Sequence, residues 1–182
     1  KQNDQVKQLI AQQVDAIIIA PKDGSAIASV VKEAQAAGIP VIMNNRPIQG
    51  DVVADLSILS DNYTMAYEQV KWFGEKAKAE GKTYNILLLV GNLGDENAVE
   101  RQKGHNAAIA EYPDNLKLVQ EVPTEWKVDV CLAGVQNAMK SNPEIDCIIA
   151  PSDSQIAPIK SALEQINRWV KIGEEGHVTL LT

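Results

Sequence analysis

Short apolar runs alternate with longer amphipathic stretches along most of this chain. The segment DAIIIAPKDGSAIASVVKEAQAAGIPVIMNNRP, residues 15–47, shows the pattern most clearly. Ala16 to Ala20 is an Ile-rich apolar run, and Val41 to Met43 is a second. Between them, Ser25 to Ala37 carries Ile27, Val30, Val31 and Ala34 on one face at helical spacing. Asp23 or Ser25 can cap the start, Gly38 can end the helix left-handed, and Pro40 cannot continue it. Strand, helix, strand with short joins is a βαβ unit. It predicts two parallel strands in a sheet covered on both faces. The polar tail MNNRP falls at the carboxyl end of the second strand, where open α/β sheets bind ligands.

The alternation continues. Asp51 to Ser60 holds a third apolar segment, with Asp61-Asn62 as cap for a long helix from Tyr63 to Glu80. That helix buries Ala66, Val70, Phe73 and Ala77, and Gly81 ends it. Tyr84 to Val90 reads as a strand, and GNLGDEN as a turn into a helix from Ala98 to Glu111. A strand from Leu116 to Glu121 ends at Pro123, followed by a helix from Val128 to Lys140. A strand (Asp146 to Ala150), a helix (Ile156 to Asn167) and an apolar strand (Val178 to Leu181) complete the chain. The class is α/β, with mainly parallel sheets flanked by helices. DVVADLSILS alternates imperfectly and leads into a capped helix, which places a crossover between two lobes near Ser60 to Asn62. The expected division is residues 1–61 and 62–182. An amphipathic helix (Val6, Leu9, Ile10, Val14) with no strand before it, and a terminal apolar strand, lead us to expect a fragment of a longer protein.

Composition narrows the chemistry. The hydrophobic share of 45% is ordinary for a globular protein. A net charge of −7 and a pI near 4.9 argue against this piece gripping nucleic acid, which needs a basic face. No window reaches the 18 apolar residues of a membrane span. Cys131 falls in a predicted helix and Cys147 in a predicted strand, without a CxxC pattern, so both read as core thiols. His105 and His177 have no cysteine or carboxylate at ligand spacing, so no metal is expected. GNLGDE lacks the third glycine of GxGxxG, and Asp95 and Glu96 would repel a phosphate, so no nucleotide cofactor is expected there. Neither GxSxG nor HExxH occurs, and nothing reads as covalent catalysis. A binding protein is expected, not an enzyme.

Four strand ends carry polar groups: Asn44-Asn45-Arg46, Gly91 to Asp95, Thr124-Glu125-Trp126 and Pro151-Ser152-Asp153. Parallel strands point all four the same way. A sugar hydroxyl both donates and accepts, so its site needs amides, carboxylates and arginine together, with an aromatic plane for the C–H face of the ring. Each candidate has a plainer reading. Arg46 can be a solvated loop arginine, and Trp126 a surface cap. Asn97 and Arg101, four apart on one helix face, can be a surface pair. Asp153 most simply caps the next helix, and it can do so while facing a ligand.

QLIAQQVDAIIIAPKDGSAIASVVKEAQAAGIPVIMNNRP resembles the amino-terminal lobe of the periplasmic sugar-binding proteins of the ribose/galactose type. GNLGDENAVERQKGHNAAI and NPEIDCIIAPSD are similar to that family's second lobe. The resemblance implies two Rossmann-like lobes of the periplasmic binding protein-like I fold, incomplete here at both termini. It implies a monosaccharide or small polyol held in an interlobe cleft, lobe closure by hinge motion, and delivery by a monomer to the membrane permease of an ABC transporter. By resemblance, Asn45 and Arg46 contact sugar hydroxyls from the first lobe, Arg101 and Asn97 from the second, and Trp126 stacks on the ring. Asp153 matches the Asp of an Asn-Asp pair whose Asn is a ligand, and Ser152 stands in that Asn's place. Tyr63-Thr64-Met65 replaces the family's glycine-containing turn, and Pro158 a frequent glycine. The family's first strand and helix, and everything after its corresponding last strand, lie outside this sequence. The 182-residue piece is therefore expected to bind sugar weakly or not at all, and the whole protein tightly. The implied location is periplasmic or extracellular, with a lipid anchor in a Gram-positive host. Two rivals share the fold: the effector-binding core of a LacI-type repressor and the sensor domain of a membrane receptor.

Overall fold

The Ile-rich run near the start forms the strand Ile17–Ile19 (β1). It pairs in parallel with Val41–Asn44 (β2), and β2 with Leu56–Ile58 (β3), in the order β1-β2-β3. The computed structural model describes residues 1–182 as two compact units, Lys1–Asp61 and Asn62–Thr182. In the first unit, helices Gln2–Ala11 (α1) and Ala28–Ala36 (α2) share a core with one face of the sheet. Val6, Val30, Val31 and Ala34 meet Ile17, Ile19, Val41 and Met43 there. The helix α2 starts three residues later than its pattern predicts. Residues 24–27 form turns instead, and the Asp23 carboxylate accepts the N–H groups of Ser25 (2.9 Å) and Ala26 (3.0 Å). Gly38 then takes the left-handed conformation at φ 78°. The carboxylate of Asp55 accepts from the Val41 N–H at 2.8 Å, and that bond holds its pKa below the usual range.

Register explains the other face. Ile18, Ile42 and Leu56 are partners across the three strands, so their side chains lie on one side, as does that of Ile58 beside Asn44. Ile18 is 71% exposed, Leu56 52% and Ile58 58%. The expected sheet covered on both faces is thus corrected for this unit: residues 1–61 supply helices for one face only.

In the second unit the pure apolar run Ile86 to Val90 sits at the centre of a four-stranded parallel sheet. Its strands are Tyr84–Val90 (β4), Leu116–Pro123 (β5), Cys147–Ile149 (β6) and Thr179–Leu181 (β7), in the order β5-β4-β6-β7. Helices Asn62–Glu80 (α3) and Glu96–Glu111 (α4) pack Val70, Phe73, Ala108 and Ile109 against Ile86, Leu88 and Val90. On the opposite face, Val128–Ser141 (α5) and Ile156–Gln165 (α6) pack Cys131, Val135, Ile159 and Leu163 against Leu87, Leu89 and Ile148. Burying each Leu or Ile contributes about 1.5–3 kcal/mol. The helices α3 and α4 approach closely where Gly104 has no side chain, since a methyl there would lie 2.3 Å from the Tyr63 carbonyl oxygen. Both cysteines are buried and unbridged, and burial pushes the Cys131 thiol up to about 11. Arg168 fastens the loop before β7, donating to the carbonyls of Gly176 (2.6 Å), Ile145 (2.9 Å) and Pro143 (3.2 Å). No helix is long and apolar enough to cross a membrane.

Candidate functional site

The polar strand ends of the first unit are Asn45 and Arg46, just past β2. Asn45 takes a left-handed conformation, φ 68°, and its N–H donates to the Ile58 carbonyl at 3.0 Å. Asparagine tolerates that conformation better than other side-chain-bearing residues. The turn continues with the Arg46 N–H on the Asn44 carbonyl at 2.8 Å. The half-buried guanidinium of Arg46 donates through Nη1 to the Pro21 carbonyl at 3.3 Å, so this residue links the ends of β1 and β2.

The second unit gathers the other candidates at the carboxyl edge of its sheet. Asp95 caps α4, its Oδ1 accepting from the Asn97 N–H at 3.1 Å, and its Oδ2 accepts the indole N–H of Trp126 at 3.0 Å. Trp126 is half-buried and follows Glu125, both in left-handed backbone conformation at φ 56° and 54°. Its ring lies flat enough on Gly91 that a methyl there would sit 2.1 Å from Cζ2. Glycine at the end of β4 is what lets the indole down onto the backbone. Thr124, buried, donates its hydroxyl to the Val90 carbonyl at 2.8 Å and accepts from Gln155 Nε2, joining the ends of β4, β5 and β6. Asn92, past the end of β4, donates to the carboxylate of Glu125, past the end of β5.

Asn97 and Arg101 are brought together through a third residue. Asn62 Nδ2 donates to Asn97 Oδ1 at 3.1 Å, while Asn62 Oδ1 accepts from Arg101 Nε at 2.8 Å. Arg101 Nη1 donates to the Pro151 carbonyl just past β6. Trp126, Asp95, Asn97, Asn62, Arg101 and Pro151 therefore form one continuous hydrogen-bonded series. Ser152 and Asp153 follow Pro151 at its end. Here a sequence expectation is corrected: the cap of the turn Asp153–Gln155 is Ser152, not Asp153. The Ser152 hydroxyl accepts from the Ser154 N–H at 3.3 Å and lies 2.9 Å from the Ser154 hydroxyl. Ser152 has the extended backbone (φ −158°, ψ 141°) that a cap requires, and Asp153 lies exposed in the first turn.

Asn62 and Asp95 were not among the expected site residues, although each holds two of them. The sequence signal for Asn62 was cap chemistry, an Asp-Asn pair at the start of α3, and for Asp95 its place in the polar strand end Gly91 to Asp95, directly before α4. His105, on α4, is buried. Burial, with the Arg101 charge second, lowers its pKa to about 4, so the ring is neutral near pH 7. No group of three His, Cys, Asp or Glu side chains is placed to hold a metal ion.

Parallel strands thus end in a row of amides, a guanidinium and an indole, at the sheet edge where open α/β folds bind ligands. The chain matches the periplasmic binding protein domain over residues 1–179, and it belongs to that family. It is 32% identical over 168 residues to the D-apiose import binding protein of Paraburkholderia graminis, an alignment covering 92% of this chain and 53% of that protein. An ABC transporter periplasmic solute binding protein of Actinobacillus succinogenes, solved with bound D-allose, matches at TM-score 0.81 and 30% identity over 91% of this chain and 59% of that one. A solute binding protein of Bacillus halodurans, solved with bound myo-inositol, matches at TM-score 0.79 and 30% identity over 91% and 56%. The chain spans about half the length of the curated relatives it matches. These relatives are solute-binding proteins.

Proposed function

We propose that this chain is part of a solute-binding protein that takes a monosaccharide or small polyol and hands it to the membrane permease of an ABC transporter. Ligand contacts come from both units: Asn45 and Arg46 from the first, and Asn97, Arg101, Trp126, Ser152 and Asp153 from the second. The protein acts as a monomer without catalysis, in the periplasm or outside the cell, lipid-anchored in a Gram-positive host. Closure of the two units on the ligand is the working step. A ligand that contacts both units favours the closed state by its difference in affinity for the two states.

The observation that carries this reading is the hydrogen-bonded series from Trp126 to Pro151. It places an aromatic plane, amides and a guanidinium at one sheet edge, in a family whose members take sugars and polyols. Arginine supplies fixed donors, Asn97 and Asn45 supply both kinds of group, and the indole covers apolar C–H surface. Calorimetric titration of the full-length polypeptide with D-apiose, D-allose and myo-inositol tests it. Saturable binding of at least one is expected, and Arg101→Ala should cost about 1.5–3 kcal/mol of that affinity with the fold intact. No heat from any of the three, or an unchanged affinity in the variant, would overturn the reading. The 182-residue piece should bind more weakly than the whole protein.

A further inference from the structure

A ligand-binding arginine is only as good as the support that fixes its plane, because a free guanidinium loses rotamer entropy on every contact it makes. For Arg101 that support is one backbone carbonyl, of Pro151, and one side chain, of Asn62. Asn62 is the first residue of the second unit and of α3, and it is buried. Its amide reaches 35 residues along the sequence to Asn97 and 39 to Arg101. The two arms are chemically distinct: the carbonyl oxygen accepts from Arg101 Nε at 2.8 Å, and the NH2 donates to Asn97 Oδ1 at 3.1 Å. Asparagine meets both demands at this length. Aspartate keeps the acceptor and loses the donor, leucine has neither, and glutamine is a methylene longer. The close α3–α4 approach at Gly104 and Tyr63 fixes the backbone from which the amide projects.

With Nε on Asn62 and Nη1 on the Pro151 carbonyl, the guanidinium is held along two directions in its own plane, and Nη2 is the nitrogen these bonds leave over. We propose that Asn62 is the positioning residue for Arg101. It locks the guanidinium before a ligand arrives and thereby sets ligand affinity without touching the ligand. The proposal rests on the reading of Arg101 as a ligand contact, and its test separates the two.

Nitrogen-15 NMR of the ligand-free 182-residue chain reads the lock directly. The Arg101 Nε–H signal, assigned by its loss in Arg101→Lys, should exchange slowly with solvent in the parent and at least tenfold faster in Asn62→Ala. Asn62→Asp, which keeps the acceptor, should retain slow exchange, and it serves as the folded control if the alanine variant does not fold. Unchanged exchange in Asn62→Ala, or fast exchange in a folded Asn62→Asp, would overturn the proposal whatever the protein binds. In the full-length protein, Asn62→Ala should weaken sugar binding about tenfold, the loss of one hydrogen bond's worth of organisation. The double variant with Arg101→Ala should then bind no more weakly than Arg101→Ala alone. Additive losses would show that Asn62 acts elsewhere. If Arg101→Ala leaves affinity unchanged while the exchange pattern holds, the ligand reading fails and the positioning role stands.

Discussion

Ile18 and Ile148 are each the middle residue of a three-residue parallel strand with apolar neighbours on either side. Ile148 is fully buried under α5 and α6, whereas Ile18 stands mostly in solvent. The local sequences are nearly interchangeable, so the difference comes from what the rest of each unit brings. The second unit supplies two helical layers, one per sheet face; the first supplies one. Parallel sheets are stable when both faces are covered. The second unit therefore has a closed core of its own, and the first has half of one.

The largest test is to separate the pieces. Residues 62–182 alone should melt cooperatively by circular dichroism, while residues 1–61 alone should show no cooperative transition. Two matching transitions would break the comparison. Point substitutions sharpen it in urea. Ile148→Ala should cost about 2–5 kcal/mol, as a core truncation does, and Ile18→Ala should stay within about 0.5 kcal/mol, as on a surface. Acid should then act on the second unit through His105. The folded protein keeps this ring neutral down to about pH 4, while the unfolded chain takes up a proton below pH 6.5. The His105 contribution to stability is thus complete above about pH 6.5 and falls by about 1.4 kcal/mol per pH unit on the way down to 4. A pH series of urea melts with His105→Phe should flatten that slope. Trp126→Phe should be a milder loss than Ile148→Ala. It removes the indole donor to Asp95 and should cost the second unit about 0.5–1.5 kcal/mol in the same melts.

The strand β4 was legible to the residue, because the pure apolar run Ile86 to Val90, opened by Tyr84 after Thr83 and closed by Gly91, permits one reading. The helix α3 was legible within one residue for the same kind of reason: four core positions at helical spacing and a left-handed Gly81 at its end. The bare face of the first sheet was not. The run Ile17–Ile19 looks buried on both sides, and the sequence pattern does not say whether a second layer lies within these residues. The cap at Ser152 was misassigned to Asp153 because capping depends on which of two adjacent residues turns extended. In the site, Asn97 and Arg101 could be placed on one helix face, but the residue joining them is 35 positions away from the nearer one. Pairings across that distance come from how α3 packs on α4, which periodicity does not encode.

The seat of Trp126 on Gly91 has a practical consequence. The chain contains three tryptophans, and the other two, Trp72 and Trp169, lie in solvent on the second unit. Changing those two to phenylalanine leaves a single emitter whose one ring edge is tied to a carboxylate and whose ring covers a strand end. Its emission wavelength and its accessibility to a soluble quencher then become an optical gauge of this sheet edge, built from the protein's own residues and needing no attached dye.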